Sequence, residues 1–225
     1  MVVRIVSIDS SLGSSLLVAD AGPGTAGTAL SVLSRAEQSS PRRHAESLGA
    51  MLARVLAAPG VADHPLDDGT GMMVCLHACD TATDLALAQA VRRQVPVIFA
   101  VPCCQHELYG QLKNRKSAFR QENHLLLPFM EHGIITERFA SLLTDTVRAL
   151  LLQACGYTVQ IMEFIETEHT PKNILIHAVK KTQSPEKDAQ LKETALRRYR
   201  LIKESFGIEP VLEPLLTQQA NLLPA

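Results

Sequence analysis

The chain has 225 residues, 46% apolar and 20% charged, with 22 basic side chains against 23 acidic ones. That fits one globular domain, or two small ones, with enough chain for a sizeable core, and it excludes a disordered chain. No apolar run approaches the ~20 residues of a spanning helix, Met1 to Asp9 is too short for a signal peptide, and the near-neutral balance argues against a dedicated nucleic-acid grip.

In chain order, Val2 to Ile8 is rich in β-branched residues and reads as a strand ending at Asp9. Ser10 to Ser40 is dominated by Ser, Gly and Ala and includes the stretch Gly22-Pro23-Gly24-Thr25-Ala26-Gly27. Arg42 to Leu56 has helical spacing, and Pro59 to Gly71 reads as a loop. Met72 to Ala78 is an apolar run broken only by His77, as expected of a strand buried on both faces. Thr81-Ala82-Thr83-Asp84 has the form of a capping box opening a helix that runs to about Arg93. Val95 to Val101 is the next strand, ended by Pro102. Arg138 to Ala154 carries a helical stripe through Phe139, Leu142, Leu143, Val147, Leu150 and Leu151, with Gly156 as its stop. Thr158 to Ile165 and Asn173 to Val179 read as strands, and their short link predicts a hairpin. Leu191 to Phe206 predicts a helix bearing Arg197, Arg198, Arg200 and Lys203, before an irregular terminus. Alternation of strands and helices predicts an α/β sheet, mostly parallel, with a C-terminal antiparallel strand pair.

In open α/β sheets, ligands bind outside the carboxyl ends of the strands. Here the strand ends carry Asp9, then His77-Ala78-Cys79-Asp80, then Pro102-Cys103-Cys104-Gln105-His106-Glu107. Three of the five cysteines stand at two of these ends. Their odd number suggests reduced thiols and a cytoplasmic setting.

Leu76-His77-Ala78-Cys79-Asp80-Thr81-Ala82-Thr83-Asp84, followed by Ala100 to Leu108 with Pro-Cys-Cys-x-His, resembles the Rossmann-like S-adenosylmethionine-dependent methyltransferases. Within them the chain looks like the branch with a strand-end His-Ala-Cys. That branch includes methyltransferase-like proteins with a glutathione-S-transferase-type companion domain. It is similar, more distantly, to tRNA 2′-O-methyltransferases. Arg138 to Asp145, Glu163 to Ile165 and Glu168 to Asn173 look like the closing half of the same family. The resemblance implies a methyltransferase-like domain over 1–181, with a low-complexity insertion at 10–40, followed by a charged helical extension over 182–225.

The resemblance further implies S-adenosylmethionine as cofactor, with Asp9, His77, Ala78, Asp80 and Asp63 around it. Pro102, Cys103, Cys104 and His106 shape the acceptor side. His106 is the first candidate for general base and His77 the second, since imidazole exchanges protons near neutral pH. RNA is the leading acceptor, by the distant similarity to the tRNA enzymes. No membrane partner is expected.

The family's cofactor loop is a glycine-rich turn after its first strand. Two readings stand. Val3 to Asp9 resembles the family's second strand with its ribose acid, which places the first strand and its glycine loop before Met1. Alternatively, Gly22 to Gly27 is a degenerate form of that loop. Asp63 is the nearest acid to the adenine position. Plain readings stand beside the functional ones. Cys75 and Cys155 read as core, His77 as a backbone-bonded histidine and Asp9 as a turn carboxylate. Cys103 and Cys104 have a packing reading, and the basic residues of the tail read as a solvated helix face. His77, Cys79, Cys103, Cys104 and His106 hold enough thiol and imidazole for zinc, but their spacing lacks a C-x-x-C pair, so no metal is assigned. A non-catalytic methyltransferase-like binding module is the rival functional class.

Overall fold

The computed structural model describes the backbone of 3–9, 14–24, 27–38 and 71–220, except His77, Cys79, Cys103, 164–172 and 181–183, and side chains from Gly71 to Thr217 with the same exceptions. The elements are β1 (Val3–Asp9), β2 (Ser14–Gly24), β3 (Gly27–Gln38), β4 (Gly71–Leu76), α1 (Thr81–Arg92), β5 (Val97–Val101) and α2 (His106–Gln121). They continue with α3 (Leu127–Met130), α4 (Gly133–Ala154), β6 (Tyr157–Glu163), β7 (Ile174–Lys180), α5 (Pro185–Phe206) and α6 (Leu212–Ala220).

The strands form one sheet in the order β3-β2-β1-β4-β5-β7-β6. The first five follow the order of a doubly wound sheet. Their directions follow it only at the centre, where β1–β4 and β4–β5 are parallel. The expectation of a mostly parallel sheet therefore applies to that centre. The β6–β7 hairpin is antiparallel as expected, and β7 also runs antiparallel to β5.

The segment read as a low-complexity insertion contributes β2 and β3, an antiparallel hairpin that adds to the edge of β1. Ser and Ala at many positions do not prevent pairing, because Leu16-Leu17-Val18 and Leu30-Ser31-Val32 supply strand-forming residues. This placement also decides the Gly22–Gly27 stretch. Gly24 is paired with Gly27 and Pro23 with Thr28, so the stretch closes a hairpin. A dinucleotide-type glycine loop instead leads from a strand into a helix. The readings of 42–56 as helix and of 59–70 as loop lie outside the described residues.

The core lies where the helices meet one face of the central strands. Met73 and Cys75 of β4, Ile98 and Ala100 of β5, and Ile176 and Ala178 of β7 are buried at two-residue spacing. Met72 and Val74 are only half-buried, which corrects the expectation of a strand buried on both faces. A continuous apolar run does not by itself say which faces are covered.

Small residues bury α1 nearly all round, with Ala82, Ala86, Leu87, Ala90 and Val91 fully inaccessible. It packs against α6, while α4 packs on α2, α5 and β6. Ile208, Leu212 and Leu216 belong to the same core cluster, so the terminus read as irregular supplies a packed helix. Gly156 follows α4 with φ +91, a conformation that favours glycine and fits its expected role as the stop. No helix among the described residues is long and apolar enough to cross a membrane.

Candidate functional site

The strand ends stand level with one another. Asp9 is in register with Leu76, and Leu76 with Val101, so β1, β4 and β5 end in a row. The two turns that follow are tied together through Asp80. Its backbone N–H donates to the Cys104 carbonyl at 2.9 Å. Its carboxylate Oδ1 accepts the N–H groups of His106 and Glu107, each at 2.9 Å. Those are first-turn donors of α2, which have no partner within their own helix. Asp80 does this from φ +52, a left-handed conformation that Asp tolerates better than most residues. The capping box read at Thr81 to Asp84 does not form. Asp80 is the N-cap of α1, without a side-chain cap bond, and the Asp84 side chain turns inward.

Beneath the rim sits a buried ionic group. Arg148 is 1% exposed and grips Asp84 with two bonds, Nε to Oδ1 at 2.8 Å and Nη2 to Oδ2 at 2.7 Å. Its Nη1 reaches Asp145 at 3.1 Å, and its Nη2 also donates to the Asp80 carbonyl at 2.9 Å. Burial by itself disfavours the charged guanidinium, but the two carboxylates outweigh it and hold Arg148 above its ordinary value. Burial pushes Asp145 up to about 6, against the pull of Arg148 and of the Gln105 amide that donates to it at 3.0 Å. The group joins α1, α2 and α4 below the strand ends. Sequence reading missed it. The available signal was Asp145 and Arg148, two charges three residues apart inside the apolar stretch of α4.

A second acid lies on the other flank. Glu107 is partly buried, and burial pushes it up to about 7, opposed by the N–H bond from Val211. Its Oε1 accepts that N–H at 2.8 Å and the Gln111 side-chain amide at 3.1 Å.

A cavity of about 430 Å³ opens beside the end of β5. Pro102 and Gln105 form one wall. The first turns of α4 contribute Ile134, Glu137, Arg138, Ser141, Leu142 and Asp145, and the β6–β7 hairpin contributes Glu163, Asn173 and Ile174. Of the expected acceptor-side residues, Pro102 lines this cavity. Cys104 is partly buried next to it, and His106 is exposed at the start of α2; neither is in the lining. Ala78 and Asp80, expected near the cofactor, are engaged in the scaffold, the Ala78 carbonyl accepting the Thr83 hydroxyl. Asp9 stands at the strand-end rim by its backbone register. His77, Asp63 and Cys103 lie outside the described residues, as does Cys79 of the zinc alternative. Among the described residues no three His, Cys, Asp or Glu side chains converge as metal ligands. Cys75 and Cys155 are buried, as read, and burial pushes Cys155 up to about 12.

Residues 14–111 match a family model described as a methyltransferase domain. The match runs from β2 into α2 and so contains both turns of the rim, whereas α4 and the β6–β7 hairpin lie beyond it. The chain is also similar to a "Glutathione S-transferase C-terminal domain-containing protein" of Homo sapiens and to its counterpart in Macaca fascicularis. Each is 30% identical over 134 residues, covering 49% of this chain and 20% of the relative. The chain thus spans about a fifth of the length of these curated relatives. No solved structure matches it significantly.

Proposed function

We propose that the chain is an S-adenosylmethionine-dependent methyltransferase domain, with its cofactor at the rim between β1 and β4 and its acceptor in the cavity beside β5. The observation that carries this reading is the methyltransferase-domain match over both rim turns. The parallel pairing of β1 with β4 supports it, because ligands in such sheets bind outside adjacent carboxyl ends. The backbone position of Asp9 suits the nucleoside end of the cofactor. Asp9 ends β1 directly beside the end of β4, where a carboxylate would accept two ribose hydroxyls. A glycine cradle is not among the described residues.

When bound, S-adenosylmethionine supplies a methyl group already activated on a sulfonium, so the protein's task is alignment. The chain's own residues suit that task. Asp80 and Arg148 lock the two rim turns to each other and to α4. Pro102 and Gln105 carry that rigidity to the cavity wall. His106, exposed at the rim, is the candidate to take the acceptor's proton. The odd number of cysteines accords with a reducing, cytoplasmic setting. RNA is the leading acceptor reading, supported by the solvent-facing Arg197, Arg198 and Arg200 of α5.

Calorimetric titration with S-adenosylmethionine and its demethylated product tests the reading. Binding of both is expected. No heat at millimolar ligand would sink the enzyme reading and favour a non-catalytic module. In an active preparation, His106→Ala should lower turnover and leave cofactor affinity unchanged. Loss of both together would assign His106 to structure.

A further inference from the structure

The last strand of the sheet offers a surface of a different kind from the rim. β6 ends the strand order, so among the described residues no strand pairs with its outer edge. A row of outward N–H and C=O groups is therefore open to another chain. Edges of this kind are usually blunted by Lys, Pro or a bulge. Tyr157 to Glu163 has no Lys, Pro or Gly, and its register with β7 is unbroken. Its Tyr, Thr, Val and Ile are strand formers.

β6 runs parallel to β5, because each is antiparallel to β7. Its first residues thus lie at the end of the sheet opposite the rim. There a cavity of about 170 Å³ runs between β6 and α5, with Tyr157 and Val159 on one side and Leu191, Ala195 and Arg198 on the other. That is smaller than the roughly 300–1,000 Å³ of ordinary small-molecule sites and suits a single side chain. By register with Ala178 and Ile176, Val159 and Ile161 share the face of the sheet on which the helices pack. Ile161 is 47% exposed and Leu191 53%, so apolar surface is left in water beside this groove. Of the charged residues lining it, Asp188 is paired with Lys192 at 2.6 Å. Arg198 is exposed and makes no ion pair among the described residues.

An extended peptide added to β6 would set every second side chain over the groove. Apolar residues there cover Val159, Ile161 and Leu191, and an acidic one meets Arg198. A nucleic acid has no ladder of donors and acceptors to match a strand edge. A second copy docking through its own β6 would bring Arg197 and Arg198 of one α5 toward the same residues of the other, a like-charge meeting.

We propose that β6 and α5 form a docking groove for an extended segment of another polypeptide, which joins the sheet as an added strand and turns apolar and acidic side chains to α5. The groove does not depend on the function proposed above.

The test is fluorescence anisotropy of the full chain with the fluorescein-labelled peptide Thr-Val-Thr-Val-Thr-Glu-amide. Four analogues accompany it: one ending in Gln, one ending in Lys, one N-methylated at its Thr residues and one N-methylated at its Val and Glu residues. Alternate residues of a strand turn their N–H groups to opposite edges. One N-methylated peptide should therefore bind like the parent and the other at least about tenfold more weakly, having lost its bonds to β6. The Glu peptide should bind about threefold to fivefold more tightly than the Gln peptide, the scale of an exposed ion pair. Arg198→Glu should reverse the preference toward the Lys peptide, while its thermal unfolding matches that of the parent chain. No binding of the parent peptide would overturn the proposal, as would equal affinity for the two N-methylated peptides or a Glu preference that survives in Arg198→Glu. Uptake of a short single-stranded oligoribonucleotide in place of the peptide would overturn it in favour of RNA. A stable dimer that excludes the peptide would overturn it in favour of a second copy.

Discussion

Single residues do most of the work of holding the rim. Asp80 joins two turns through one carboxylate oxygen, and Arg148 neutralises two carboxylates that burial would otherwise make costly. Glu107 carries a charge that its surroundings accommodate poorly. Its ordinary value of 4.5 rises to about 7 because burial disfavours the carboxylate, and Asp84 and Asp80 add to the rise while Arg148 opposes it. The folded state therefore holds this proton more tightly than the unfolded chain does. The contribution to stability is full below about 4.5 and is lost as pH rises through about 7. Glu107→Gln keeps an oxygen for the Val211 N–H and removes the charge. It should flatten that part of the pH profile and stabilise the protein above neutral pH by about 1–2 kcal/mol, after allowance for solvent screening. Urea unfolding across pH checks this; a variant profile parallel to the parent's would contradict it.

At the scale of elements, two glycines make opposite demands. Gly207 ends α5 at φ +57, and a Cβ there would run into the Arg115 guanidinium from α2. Gly110 lies within α2 at ordinary helical geometry, with nothing within 4 Å of an added Cβ. Gly207→Ala should destabilise by about 1–2 kcal/mol, from the left-handed conformation alone. Gly110→Ala should stabilise by about 0.5–1 kcal/mol, because alanine loses less freedom in a helix. Thermal unfolding of the two variants should shift in opposite directions. A shift in the same direction would mean that one of the two helix geometries is misassigned.

The molecule as a whole closes through its C-terminal segment. Ile208, Leu212 and Leu216 are buried in the core shared by α1 and α4. The Gln111 side chain bonds both backbone groups of Glu209, its amide to the carbonyl at 2.9 Å and its oxygen to the N–H at 2.7 Å. Leu216→Ala should cost about 2–5 kcal/mol and leave one cooperative transition. Two separate transitions in denaturant would show that the charged C-terminal segment unfolds as its own unit.

Periodicity and turn chemistry were enough to place α1, β5, the apolar stripe of α4 and the β6–β7 hairpin, because each has a local signal longer than one turn. The strand-end position of Asp9, Asp80 and Pro102 was legible for the same reason. Other outcomes depended on partners far along the chain. Asp84 looked like a local cap and became an ion-pair partner of Arg148, 64 residues away. Gly22 to Gly27 had the composition of a phosphate loop, yet pairing between β2 and β3 makes it a hairpin end. The cavity draws its wall from α4 and the β6–β7 hairpin as well as from the Pro-Cys-Cys-x-His segment that suggested a site. By itself the sequence determined which strand ends carry reactive side chains, since that follows from local alternation. Only the tertiary structure decided which of those side chains hold the scaffold and which line open space, because burial and charge pairing are set by residues that meet only on folding.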